Sequence, residues 1–94
     1  MELLRVGSNT VPVKLAGAIA NIVKNEGCAE AQCIGASAVN QLVKAVIIAR
    51  AFTIPTGIDL CCVPSFDTVK TFEDTEESTV IKMVIEARLD GEHK

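Results

Sequence analysis

Ser37, Asn40, Gln41 and Lys44 follow i, i+3, i+4, i+7 spacing, the interval at which side chains share one face of an α-helix. Together they offer a hydroxyl, two amides and an ammonium. Amides of this kind read base edges or bridge phosphates, and a lysine supplies charge for phosphate contact. Catalytic chemistry is harder to assemble. The single histidine, His93, is one residue from the C-terminus, where order is commonly lowest, and no Ser-His-Asp or Cys-His set can be built on it. Neither a P-loop nor a G-x-G-x-x-G fingerprint occurs. Lys14 or Lys44 could act as a perturbed amine, but no partner supports that role. Most of the clustered carboxylates lie in Glu73-Asp74-Thr75-Glu76-Glu77, which has the character of a solvated loop rather than a tuned acid/base pair.

The four cysteines, Cys28, Cys33, Cys61 and Cys62, lack the CxxC spacing of zinc sites. They are expected to be buried, reduced thiols, since a free cysteine packs as a small hydrophobe. Cys61 and Cys62 are adjacent, so a strand would point them to opposite faces. No metal, no cofactor and no small-molecule substrate is expected, and the protein is not expected to be an enzyme.

The elements that would position the helical stripe can be read along the chain. Its 94 residues fit one domain, which at this size buries roughly 60–65% of its unfolded surface. The chain is 49% hydrophobic with three Phe and neither Tyr nor Trp. A net charge of −3 argues against a histone-like basic binder, and the scarcity of rings argues against single-strand binding by base stacking. The start, Met1-Glu2-Leu3-Leu4-Arg5-Val6-Gly7, has no signal-peptide pattern. The longest apolar run, Ala45 to Ile54, is broken by Arg50 and Thr53 and is too short to span a bilayer. A cytoplasmic protein without membrane contact is expected.

Residues 2–6 predict a strand. Asn9 or Thr10 is available as an N-cap and Pro12 suits a first turn, so a helix is predicted over 11–26, with Leu15, Ala16, Ile19, Ile22 and Val23 inward. Gly27 is placed to end it in a left-handed conformation. A second strand is predicted over 30–34, a second helix over 36–51, and strands over 59–66 and 79–88. In the last, Val80, Lys82, Val84 and Glu86 share one face and Ile81, Met83, Ile85 and Ala87 the other. The order is β-α-β-α-β-β. The first βαβ unit makes its strands parallel and the last two strands form a hairpin. The expected fold is α/β in the broad sense: an α+β two-layer sandwich, with a mixed four-stranded sheet and both helices on one face. It occupies residues 1–88, and 89–94 form a polar tail.

Helix two is unusually apolar beside its stripe. Packing on its own sheet would cover about one third to one half of it, and a partner is needed for the rest. Symmetric self-association is the commonest use of such a surface, with Val39, Val43 and Ile47 as candidate contacts. A ligand groove along Ser37, Asn40, Gln41 and Lys44 is the other use, and a dimer can frame a groove.

Further residues carry a family resemblance. Gly35-Ala-x-Ala38-x-Asn40-Gln41-x-x-Lys44-Ala45-Val46-x-Ile48-Ala49-Arg50 resembles the central signature of the stage V sporulation protein S family. So do Leu15-Ala-Gly-Ala-Ile-Ala20, Pro55-x-Gly57-x-Asp59-Leu60, Cys62-x-Pro64-x-Phe66, and Thr79-x-Ile81-Lys82 with Glu86. The likeness spans about residues 2 to 88. It implies a small bacterial regulator of sporulation, septation and spore coat maturation. It also implies an Alba-like fold, whose members are dimeric nucleic-acid binders. Gln41 stands where the Alba pattern has a lysine, and Lys44 follows almost a turn later. The acidic 73–77 segment would sit where Alba has its hairpin arm, and phosphates would repel it. DNA or RNA is therefore expected across Lys14, Ser37, Asn40, Gln41 and Lys44, with Arg50 and Arg5 as further candidates. The partner of first resort is a second copy of the chain, in a dimer or tetramer. The alternative is a homo-oligomeric assembly module that binds no nucleic acid. Without Glu73, Asp74, Glu76 and Glu77, nine basic residues face eight acidic ones, so the bulk charge does not exclude a local anion site.

Overall fold

A computed structural model describes residues 3–67 and 80–89. The acidic 73–77 segment and the tail beyond Leu89 lie outside the described residues. Strand β1 (Leu3–Val6) leads into helix α1 (Pro12–Glu26), β2 (Cys28–Ile34) and helix α2 (Ala36–Thr53). A 3-10 turn (Ile54–Thr56) follows, then β3 (Ile58–Phe66) and β4 (Val80–Leu89). The sheet order is β1-β2-β4-β3. β1 and β2 are parallel, while β4 is antiparallel to both β2 and β3. This is the expected mixed four-stranded sheet, with the predicted hairpin at its edge.

Alternation along the strands builds the core. Val6, Ala29, Ala31, Cys33, Leu60, Met83 and Ile85 are buried. Their registers match across strands: Val6 with Cys33, Ala31 with Met83, and Ala29 with Ile85. Helix α1 adds Leu15, Ala16, Ile19, Ala20, Ile22 and Val23, and α2 adds Ala38, Leu42, Ala45, Val46 and Ala49. Alanine recurs at these contacts, which lets the helices approach the sheet and each other closely. Phe52 and Phe66 are exposed, so among the described residues no aromatic ring holds the layers apart.

Local signals explain most boundaries. Gly27 ends α1 with φ of 90°, and its N–H donates to the Val23 carbonyl at 2.8 Å. Gly35 turns the chain from β2 into α2 with φ of 91°, a conformation that favours glycine. Two expectations need correction. The N-cap of α1 is Val11, with no side-chain cap; Thr10 instead uses its Oγ1 to accept the Gly7 N–H at 2.9 Å, closing the preceding loop. β2 begins at Cys28 rather than residue 30, because its pairing with β4 overrides the weak strand preference of its alanines.

The bilayer criterion also reads differently on the folded chain. α2 with its 3-10 extension, Ala36–Thr56, is long and apolar enough by composition to cross a membrane, with a mean hydropathy of 1.3. The hydropathy arises because one face of α2 supplies core side chains while Val43 and Ile47 add an exposed apolar flank beside it.

Candidate nucleic-acid interface and the outer flank of α2

β1, β2 and β3 run in one direction, and each helix returns against it. The starts of α1 and α2 therefore lie at the same end of the sheet, beyond Val6 and Ile34. Neither start has a side-chain cap or an acidic residue in its first turn. Uncapped N–H groups and the helix dipole make this end favourable for anions.

The predicted stripe divides by exposure. Ser37, Asn40 and Lys44 are exposed, while Gln41 is half-buried. Gln41 turns toward α1, and its Nε2 donates to the Thr10 carbonyl at 2.9 Å. This bond ties α2 to the loop that starts α1. Lys44 borders a shallow cleft of about 390 Å³ with Pro12, Val13, Ile47 and Ile48. The ammonium-bearing side chain of α2 thus stands beside the first turn of α1, the turn that carries exposed Lys14. Neither lysine is in an ion pair with a described residue. The structure brings Lys44 beside Pro12 and Val13 and Gln41 onto the Thr10 carbonyl; Lys14 follows Val13 in the same turn of α1, and Ser37 and Asn40 are exposed on α2. Thr10 and Pro12 complete this corner, and nothing in their sequence spacing relates them to α2.

Arg50 and Arg5 are placed elsewhere. Arg50 lies on the β3 side of α2, where its Nε donates to Asp59 Oδ1 at 2.7 Å and its Nη2 to Oδ2 at 3.2 Å. Asp59 also accepts the Leu60 N–H at 2.7 Å and meets Arg88 Nη2 at 3.4 Å. The Arg50 hydrogen bond is the main reason the Asp59 carboxyl is held down to about 2. Arg5 alternates with inward-facing Leu4 and Val6, so it projects from the other side of the sheet.

The outer flank of α2 is apolar. Val43 is 45% exposed and Ile47 61%, and Val39 is half-buried beside the core. Between this flank and β3 runs a groove of about 300 Å³, lined by Val43, Val46, Ile47, Leu60, Cys62 and Met83 among others. β3 forms the sheet edge there. The Asp67 N–H donates to the Val80 carbonyl at 2.9 Å, which sets the alternation of the ladder. The backbone groups of Leu60, Cys62, Pro64 and Phe66 therefore point away from β4. Asp59 takes the Leu60 N–H and Pro64 has none, so this edge is blunted against strand addition.

All four cysteines are free, but the expectation of burial holds only for Cys33. Cys28 starts its strand on the uncovered face, and Cys61 and Cys62 lie on an edge strand, so each remains partly accessible. Burial pushes the Cys33 thiol up; burial first and then neighbouring Cys61 do the same to Cys62. Raised thiols are poor nucleophiles at neutral pH. Among the described residues, no group of three His, Cys, Asp or Glu side chains could hold a metal ion.

Residues 2–88 match the family model of stage V sporulation protein S. The chain belongs to that family. Membership supports a sporulation-related protein. The stretches that resemble stage V sporulation protein S also build the geometry above. They supply Gly35 at the entry to α2, Gln41 on the Thr10 carbonyl, the Arg50–Asp59 pair, and Pro64 on the sheet edge.

Proposed function

We propose that this protein is a non-enzymatic cytoplasmic regulator that binds nucleic acid as a homodimer. The observation that carries this reading is the position of Lys44 across a cleft from the first turn of α1, which bears Lys14. Lys14 in the uncapped first turn of α1, and Lys44 facing Pro12 and Val13 of that turn, support a local anion site on a chain whose net charge is −3. Ser37 and Asn40 add exposed polar groups that can hydrogen-bond phosphates, sugars or base edges. The apolar flank of Val39, Val43 and Ile47 supports dimerisation, since a second copy would cover it.

Titration of duplex DNA and of RNA at low and physiological salt tests the reading. Binding is expected to weaken with salt and to drop in Lys14→Ala and Lys44→Ala. No binding at low salt, or binding unchanged in both variants, overturns it. The exposed Val43 and Ile47 also favour a second reading, a homo-oligomeric assembly module without nucleic acid. That reading predicts self-association with no duplex binding.

A further inference from the structure

The side of the sheet away from the helices carries a second pattern. Its side chains are all exposed or half-buried, and the strand registers arrange them in rows. One row is Leu3, Glu30, Val84 and Val63, and the next is Arg5, Gln32, Lys82 and Ser65. Beyond the first row, Glu86 stands between Cys28 and Cys61. Glu30 and Glu86 thus occupy one half of this face, with the Asp59–Arg88 ion pair beyond them, and Arg5 and Lys82 lie in the adjoining row, where Asp67 accepts the Gln32 Nε2 bond at 2.7 Å. None of Arg5, Glu30, Lys82 or Glu86 forms an ion pair with a described residue. Leu3, Ile34 and Val63 are exposed on the same face.

This charge pattern complements itself. A two-fold axis lying across the strands, between the two rows, exchanges them when a second sheet is laid face to face. Strands are about 4.8 Å apart, so Arg5 on β1 and Lys82 on β4 flank β2 at the level of Gln32. The second copy's Glu30 then comes between Arg5 and Lys82, whose two positive charges outnumber the one carboxylate, Asp67, held on Gln32, and the reciprocal contact forms by symmetry. Leu3 and Val84 meet the aliphatic stems of those basic residues. A nucleic acid fits this face less well, because Glu30 and Glu86 neighbour the basic row and a continuous run of phosphates would cross both.

We propose that this open sheet face is a second self-association surface, on which Glu30 of one copy pairs with Arg5 and Lys82 of another. The face lies on the opposite layer from the apolar α2 flank. Contacts of both kinds let dimers join dimers, and the proposal does not depend on nucleic-acid binding.

Sedimentation equilibrium of the full chain tests it, in a Val43→Glu background that removes the α2 contact. The Val43→Glu protein is expected to associate as a dimer at high concentration and to dissociate as salt rises. Adding Glu30→Arg, or Arg5→Glu with Lys82→Glu, is expected to weaken that association at least about tenfold, since like charges would then meet. Mixing these two reversed proteins should restore it, because each presents the charge the other needs. Far-UV circular dichroism identifies the folded variants. Where Glu30→Arg fails to fold, Lys82→Glu alone must still weaken association. A Val43→Glu protein that stays monomeric overturns the proposal, as does a mixture no more associated than its components. Loss of duplex binding in Arg5→Glu with Lys82→Glu at unchanged mass also overturns it, making this face a nucleic-acid surface instead.

Discussion

Arg50 and Asp59 fasten the C-terminal part of α2 to the start of β3 through two hydrogen bonds, at 2.7 and 3.2 Å. The pair sets a pH dependence. The Asp59 carboxyl is held at about 2, below its ordinary 3.8, chiefly by the Arg50 bond and then by the Leu60 N–H. The unfolded chain therefore takes up this proton more readily than the folded one. The stabilisation is complete above pH about 4 and is lost as pH falls through about 2. Urea midpoints measured across that window should fall with pH, and Asp59→Asn should flatten this part of the profile. An unchanged profile in Asp59→Asn would assign the acid sensitivity to other groups.

The alanine-rich contact between layers predicts intolerance to added volume. Ala49 is fully buried on the inner face of α2. Ala49→Leu should destabilise by about 1–3 kcal/mol through overpacking, read from urea unfolding. An equally stable variant would mean that the helix and sheet have room to separate.

Much of the fold was legible because strong local signals agree with the tertiary arrangement. Pro12 and Gly27 bracket α1, and β-branched residues dominate the start of β4. Alternation also marks Arg5 as outward once Leu4 and Val6 are inward. The start of β2 was less legible, because Cys28, Ala29 and Ala31 have little intrinsic strand signal and depend on pairing with β4. The site was legible in part. Helical spacing brings Ser37, Asn40, Gln41 and Lys44 to one side, but it does not reveal that Gln41 is spent on the Thr10 carbonyl. Nor does it reveal that Asp59, on another element, engages Arg50. Both are contacts between elements, and periodicity within one helix carries no information about them.

The two lysines should be separable from Arg50 by salt dependence. Each phosphate contact contributes about −0.9 to the slope of log K against log salt on duplex DNA. Lys14→Ala and Lys44→Ala should each reduce its magnitude by roughly 1 and weaken binding across sequences. Arg50→Ala should leave the slope unchanged, because Asp59 already engages its guanidinium. A slope that falls in Arg50→Ala and not in the lysine variants would move the interface to the β3 side of α2.

Val43 tests the apolar flank. It is exposed beside Ile47 at the mouth of the groove toward β3, so glutamate there should fold normally while opposing contact with a second copy. Val43→Glu is expected to halve the mass of the assembly by light scattering, with little change in the circular dichroism spectrum. An unchanged mass would exclude this flank as a self-association surface.

Pro64 tests the sheet edge. The backbone positions of Leu60, Cys62, Pro64 and Phe66 face outward, as the Asp67–Val80 hydrogen bond requires. Asp59 occupies the Leu60 N–H, and proline supplies no donor at position 64. Pro64→Val would place a new outward N–H between those of Cys62 and Phe66, beside the 76% exposed Phe66 ring. Three successive outward donors on an apolar edge are a template for another strand. The variant should therefore aggregate faster on warming, followed by turbidity and by thioflavin fluorescence. Ser65→Val is the control. It adds a comparable apolar side chain one position away, but its N–H faces β4 and the edge gains no donor. Faster aggregation in Pro64→Val than in Ser65→Val assigns the protection to the missing N–H. Equal rates in the two would assign it to side-chain polarity instead.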